Sequence, residues 1–192
     1  MTTKPHNEPG LNHFIGYVGP GLSGKVTSLF WLWEHIPKDH QKAWSPQDTT
    51  AAIPGFLVSE IFLNSDVGTA GSEALRSENT KWIGLATQTT AVVDDHRRDL
   101  FQAHTDALIF VVDSRAERLE NMVLASRKLA TCGKPLFIQY NKRDLPTALP
   151  MEVLKREINP GNRYPYGESI AISGTGVLES LRSCYRLLSA NP

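Results

Sequence analysis

The stretch Gly19-Pro20-Gly21-Leu22-Ser23-Gly24-Lys25 fits the spacing GxxxxGK and constrains this chain more than any other segment. It follows the apolar run HFIGYV (13–18), which reads as a strand. It precedes apolar residues at Val26, Leu29, Phe30, Trp33 and Ile36, the spacing of one helix face. Strand, glycine loop, lysine and helix in that order are the context that a phosphate-binding loop requires. The glycines let backbone N–H groups turn inward around phosphate oxygens, the helix N-terminus adds favourable partial charge, and Lys25 reaches the outer phosphates. The candidate phosphate-binding residues are Gly19, Gly21, Leu22, Ser23, Gly24, Lys25, Val26 and Thr27. The competing reading is an ordinary glycine turn before a helix, with Lys25 solvated.

The rest of the chain alternates short apolar runs with helical periodicity. Residues 1–12 are polar, carry Pro5, Pro9 and Gly10, and read as a flexible N-terminal arm. Residues 13–192 then form a single domain. A long loop is expected over 37–55, strands at FLVSEIFLN (56–64) and TKWIGLAT (80–87), and a buried central strand at ALIFVV (107–112). Helical spacing covers 115–131, stopped by Gly133 and Pro135. PLFIQY (135–140) reads as another buried strand, followed by a helix near 150–158, a strand at 169–172 and a helix at 175–188. Strands separated by helices imply an α/β fold, a mostly parallel central sheet with helices on both faces.

Composition narrows the class further. At 192 residues and 41% hydrophobic, the chain can bury a sizeable core. Its 20 basic and 20 acidic residues cancel, which argues against bulk nucleic acid or an anionic membrane surface as the main partner. Two cysteines, Cys132 and Cys184, do not make a disulfide framework, and neither a signal peptide nor a transmembrane run is present. A cytoplasmic protein is expected.

A second motif, Asn141-Lys142-Arg143-Asp144, follows the strand 135–140, at the edge where open α/β sheets bind ligands. A carboxylate there accepts two N–H bonds from a guanine edge, which adenine cannot supply, and a wrong base leaves buried groups unpaired. A charged loop after a strand is the alternative; its place beyond a GxxxxGK loop favours the pocket.

GxxxxGK followed by NKxD resembles the Ras-like small GTPases. Within them the chain looks like the bacterial gliding-motility and polarity type, the MglA family. The likeness is carried by YVGPGLSGKVTSL (17–29), DALIFVVDS (106–114), FIQYNKRDLP (137–146) and AISGTGVLESL (171–181), and covers roughly residues 13–188, weakly over 37–90. The resemblance implies the P-loop small-GTPase fold and GTP or GDP as ligand. It assigns Asn141, Lys142 and Asp144 to the guanine base, with Ser173-Gly174-Thr175 as the loop packing against it. Asp113 falls in the family's strand-end VVDS, a structural position.

Three departures bear on chemistry. The residue after the loop lysine is normally Ser or Thr, whose hydroxyl ligates Mg²⁺; here it is Val26, and Thr27 is rotated by about 100° along the helix. The family's glycine and glutamine after the third strand, which contact the γ-phosphate and orient water, are matched by Thr90 and Ala91, with Gln88 displaced by three residues. The switch I region, 45–58, holds Thr49 and Thr50 but no arginine. His96, Arg97 and Arg98 read as a solvated helix face or a cationic surface near phosphate.

The cradle, the lysine and the base pocket survive while the metal, water and arginine positions do not. The expected function is a guanine-nucleotide-binding protein with slow or absent intrinsic hydrolysis, acting as a switch or interaction module in bacterial polarity or motility. Its protein partners would use the switch-equivalent face, 45–64 and 88–104. Two alternatives stand: an active GTPase whose missing groups come from a partner, and a nucleotide-independent pseudo-GTPase scaffold. Trp31, Trp33, Trp44 and Trp82 read as core or interface residues.

Overall fold

The computed structural model describes residues 10–43, 55–65, 81–89 and 104–189. Seven strands, β1 (Leu11–Gly19), β2 (Gln41–Ala43), β3 (Gly55–Ser59), β4 (Trp82–Thr89), β5 (Ala107–Asp113), β6 (Leu136–Asn141) and β7 (Tyr166–Glu168), make one sheet. Its order is β2-β3-β4-β1-β5-β6-β7, and β3 alone runs antiparallel to its neighbours. Among the described residues five α-helices accompany it: α1 (Lys25–His35), α2 (Glu60–Asn64), α3 (Leu119–Leu129), α4 (Met151–Ile158) and α5 (Val177–Ser189).

The apolar runs work because both faces of the sheet are covered. Along β5, Ala107, Ile109 and Val111 pack on the side of α1, α2 and α5 with Leu29, Leu32, Leu63, Leu181 and Tyr185. Leu108, Phe110 and Val112 face the other way, toward Met122 and Ala125 of α3 and Leu154 and Ile158 of α4. Two cores, one per face, are the direct result of the two-residue strand period. The expected α/β architecture is the one observed.

Several element boundaries differ from expectation. Strand 56–64 stops at Ser59, whose hydroxyl accepts the Phe62 N–H at 3.3 Å and starts α2; an N-cap serine outweighs the apolar content of Ile61-Phe62-Leu63. The expected loop 37–55 contains a 3-10 turn at Lys38–His40 and the edge strand β2. The Gln41 amide reaches back to the Trp33 and Ile36 carbonyls, and the His40 ring meets Ser59 Oγ at 2.8 Å. The last strand lies at 166–168, not 169–172; beyond it the Ala171 N–H goes to the Asn141 side chain, outside the ladder. The helix expected over 115–131 opens with a 3-10 turn, Ala116–Arg118, before α3.

On α1 the buried stripe is Leu29, Leu32 and Ile36 with Trp33 half-buried, whereas Val26 and Phe30 are exposed. Leu32, absent from the expected face, completes the i, i+3, i+7 row, and Phe30 sits about 100° around from Leu29. The expected N-terminal arm falls outside the described residues as far as residue 9, while Leu11 and Asn12 already belong to β1. Of the expected switch I, 45–58, residues 45–54 with Thr49 and Thr50 also lie outside them, as do Trp44, Thr90, Ala91, His96, Arg97 and Arg98, while 55–58 belong to β3.

Candidate functional site

β1, β5 and β6 end together, with Asp113 directly opposite Asn141 in register. Three loops therefore meet at one sheet edge: the glycine loop after β1, the segment after β5 and the Asn141–Asp144 turn after β6. A parallel sheet places ligands at this edge, because all its strand ends open there.

The glycine loop closes on itself. The Ser23 N–H reaches the Pro20 carbonyl at 3.3 Å, and the Ser28 N–H bonds the Gly24 carbonyl at 2.9 Å as α1 begins. Gly24 has φ +108, and a Cβ there would overlap the Asn141 amide nitrogen, so only glycine fits. Leu22 is a non-glycine residue at φ +65, and its side chain is 82% exposed. This conformation costs about 1–3 kcal/mol that packing does not return.

Lys25 is 4% exposed, and its ammonium donates to the Pro20 carbonyl at 2.8 Å. Burial lowers its pKa to about 8. No carboxylate pairs with it among the described residues, and the Ser23 hydroxyl beside it is buried without a partner. A buried cation with only a carbonyl for company suits an anionic group, and a nucleotide's phosphates fit this donor set.

Val26 is 56% exposed and has no oxygen to offer; Thr27, its neighbour, is exposed as well. The described residues contain no group of three or more His, Cys, Asp or Glu side chains arranged to hold a metal. The side chain that follows Lys25 therefore does not fit a Mg²⁺ ligand.

Asn141 acts as a strut. It is almost fully buried; its Nδ2 donates to the Ser23 carbonyl at 2.9 Å, and its Oδ1 accepts from the Ala171 N–H at 2.9 Å and Ser169 Oγ at 3.2 Å. One amide thus joins the phosphate loop to the loop 169–176. Gln139, two residues earlier on the same face of β6, adds bonds to Ser28 and Ser169.

Lys142, at φ +64, directs its ammonium to the fully buried Asp113 carboxylate at 2.7 Å. Arg115 holds the same carboxylate with Nη2 at 2.8 Å and Nε at 3.0 Å. Burial pushes the Asp113 pKa up, but the hydrogen bonds from Arg115 and Lys142 and the Lys142 charge outweigh it, so the carboxyl sits below its ordinary value. Arg143 braces the turn through Glu168 at 2.8 Å and the Leu149 carbonyl at 2.7 Å. Asp144 is exposed, and its carboxylate meets no donor among the described residues, leaving both oxygens open to a ligand.

Ser173 is exposed and Gly174 buried. Gly174, at φ +79, lies so close to the Trp31 ring of α1 that a Cβ would overlap it. Trp31 in turn stacks on His35 at 4.2 Å. Trp31 is thus tied to the site, while Trp33 packs edge-on against Phe56 at 5.3 Å and Trp82 is buried.

The expected phosphate and base residues therefore converge on one edge. Sequence reading missed how Asp113, itself held by Arg115, holds Lys142, the support from Gln139 and Ser169, and Arg118, whose Nη2 reaches the Gly21 carbonyl at 2.8 Å. Asp113 was legible as the polar end of an apolar strand; nothing local marks Arg118, because the contact spans 97 residues of sequence.

No protein-family profile matches the chain. It is 31% identical over 192 residues to the mutual gliding-motility protein MglA of Myxococcus xanthus, covering 93% of this chain and 91% of that protein. The human and mouse ADP-ribosylation factor-like proteins 4C are each 32% identical over 94 residues, covering 44% of this chain and 49% of theirs.

Proposed function

The chain belongs to the Ras-like small GTPases of the MglA type, and on that footing we propose that it binds guanine nucleotide with slow or absent intrinsic hydrolysis. The observation that carries the binding half is Lys25, a buried ammonium inside a glycine loop whose only partner among the described residues is a backbone carbonyl. Asp144, exposed and without a donor among the described residues, supports the guanine half, since a carboxylate accepts two N–H bonds from that base. Asn141 fixes the glycine loop and the loop 169–176 relative to each other, and we assign Lys142, Ser173 and Gly174 to the surroundings of the base.

Slow turnover follows from the sequence departures. Val26 supplies no metal oxygen, Ala91 orients no water, Thr90 replaces a glycine, and switch I lacks an arginine. A protein that holds nucleotide without converting it serves as a switch or interaction module. The segments assigned to protein partners are 45–64 and 88–104, of which 45–54 and 90–103 lie outside the described residues; the assignment to motility rests on the Myxococcus gliding-motility relative, and polarity is an extension of it. No described helix is long and apolar enough to cross a membrane; we assign the protein to the cytoplasm.

Titration of GDP, GTP and ATP against the wild type, Lys25→Ala and Asp144→Asn tests the binding half. GDP and GTP should bind, Lys25→Ala should abolish binding, and Asp144→Asn should weaken the preference for guanine. Equal affinity for ATP overturns the guanine assignment, and no binding at all favours the scaffold. Single-turnover phosphate release tests the rest: a rate of about 10⁻⁴ s⁻¹ or above without a partner means the missing residues have been replaced.

A further inference from the structure

Arg118 lies on the far side of the sequence from the glycine loop, yet touches it. The 3-10 turn that carries it, Ala116–Arg118, is fixed to the turn after β6: the Ala116 N–H bonds the Thr147 carbonyl at 3.2 Å, and the Leu149 N–H bonds the Ser114 carbonyl at 2.8 Å. From this support the Arg118 guanidinium donates to the Gly21 carbonyl at 2.8 Å. No carboxylate pairs with Arg118 among the described residues, and its Nε is buried without an acceptor there. Among the described residues its positive charge thus stands beside the glycine loop uncancelled.

The bond falls on the peptide that most needs holding. A trans peptide is planar, so its C=O and N–H point in opposite directions. Fixing the Gly21 carbonyl toward Arg118 turns the Leu22 N–H away from it. Leu22 has φ +65, a conformation that a leucine adopts at a cost, and its exposed side chain gains nothing from packing. An outside hold is what keeps such a peptide in place.

We propose that Arg118 is a positioning residue which, by holding the Gly21 carbonyl, aims the Leu22 N–H at the outer phosphates of a bound guanine nucleotide. The proposal rests on the nucleotide-binding reading above. It gives Arg118 no contact with the base, so its effect must grow with the number of phosphates and leave base selectivity alone.

The test is nucleotide binding by the full chain, with fluorescent GDP release by chase and equilibrium titration of GMP and GDP. Arg118→Ala should speed GDP release about tenfold or more, the equivalent of one charge-assisted hydrogen bond, and should weaken GMP binding far less. Leu22→Gly removes the conformational cost; placed on Arg118→Ala it should restore most of the lost GDP affinity. Arg118→Lys, which retains a donor, should fall between the two and serves in place of the alanine variant if that one does not fold. An equal loss for GMP and GDP, or no rescue by Leu22→Gly, overturns the positioning role. Wild-type binding with unchanged release from the Arg118 variants overturns it alone. Failure of the wild type to bind GDP overturns the functional reading and this inference together.

Discussion

The Asn141 side-chain amide occupies the space where a Cβ of Gly24 would stand, and from there it donates to the Ser23 carbonyl at 2.9 Å. The Asn141–Asp144 turn and the glycine loop are therefore fitted to each other atom against atom. Gly24→Ala should destabilise the protein by about 3 kcal/mol or more, from the strained φ and the displaced amide. Asn141→Ala should cost about 2–4 kcal/mol, since it leaves the Ser23 carbonyl and the Ala171 N–H unpaired. In urea denaturation the double variant should lose less than the sum, because the overlap disappears with the amide.

Asp113 gathers two cations on one buried carboxylate. Its pKa is held below the ordinary value, so the stability it provides is present above the unfolded-state pKa and is lost as pH falls through the lower folded-state value. Asp113→Asn should cost about 2–4 kcal/mol at neutral pH and flatten the decline in stability below about pH 4. Acid titration of both proteins by circular dichroism checks this.

The Lys25 ammonium, with its pKa near 8 in the nucleotide-free protein, should make binding depend on pH. Bound phosphate favours the charged form, so binding takes up a proton once the free lysine begins to lose its own. GDP affinity should fall by up to about tenfold per pH unit above pH 8. In Lys25→Arg, whose cation does not titrate in this range, calorimetry should find that slope missing.

Val26 predicts a weak metal dependence. Adding EDTA should change GDP affinity only slightly in the wild type, and Val26→Thr should increase the dependence by restoring one oxygen ligand. If chelation alone strips nucleotide from the wild type, the metal is held elsewhere, and Thr49 or Thr50 becomes the candidate.

Much of this fold was legible because its strands are continuous apolar runs and its loop has a fixed spacing. HFIGYV, ALIFVV and PLFIQY became β1, β5 and β6 with shifts of a residue or two. The misreadings share a cause: hydrogen bonds from side chains to the backbone defeat periodicity in short elements. Ser59 turned an apparent strand into α2, and the Asn141 amide drew Ala171 off the sheet. The same holds for the site. Lys25, Asn141 and Asp144 declare themselves by spacing, whereas Asp113–Lys142 and Arg118–Gly21 exist only once distant segments are brought together.

The contact of Trp31 with Gly174 makes α1 a gauge for the ligand. The helix begins at Lys25, at the end of the glycine loop, and six residues later it abuts the loop 169–176, a span of about 9 Å along its axis. The separation between the glycine loop and the loop at Gly174, and with it the length of ligand proposed to lie between them, is thus set by one rigid rod. Lengthening α1 by a single residue between these points would advance Trp31 by about 1.5 Å and swing it by about 100°, and the pocket would lose its measure at both ends together.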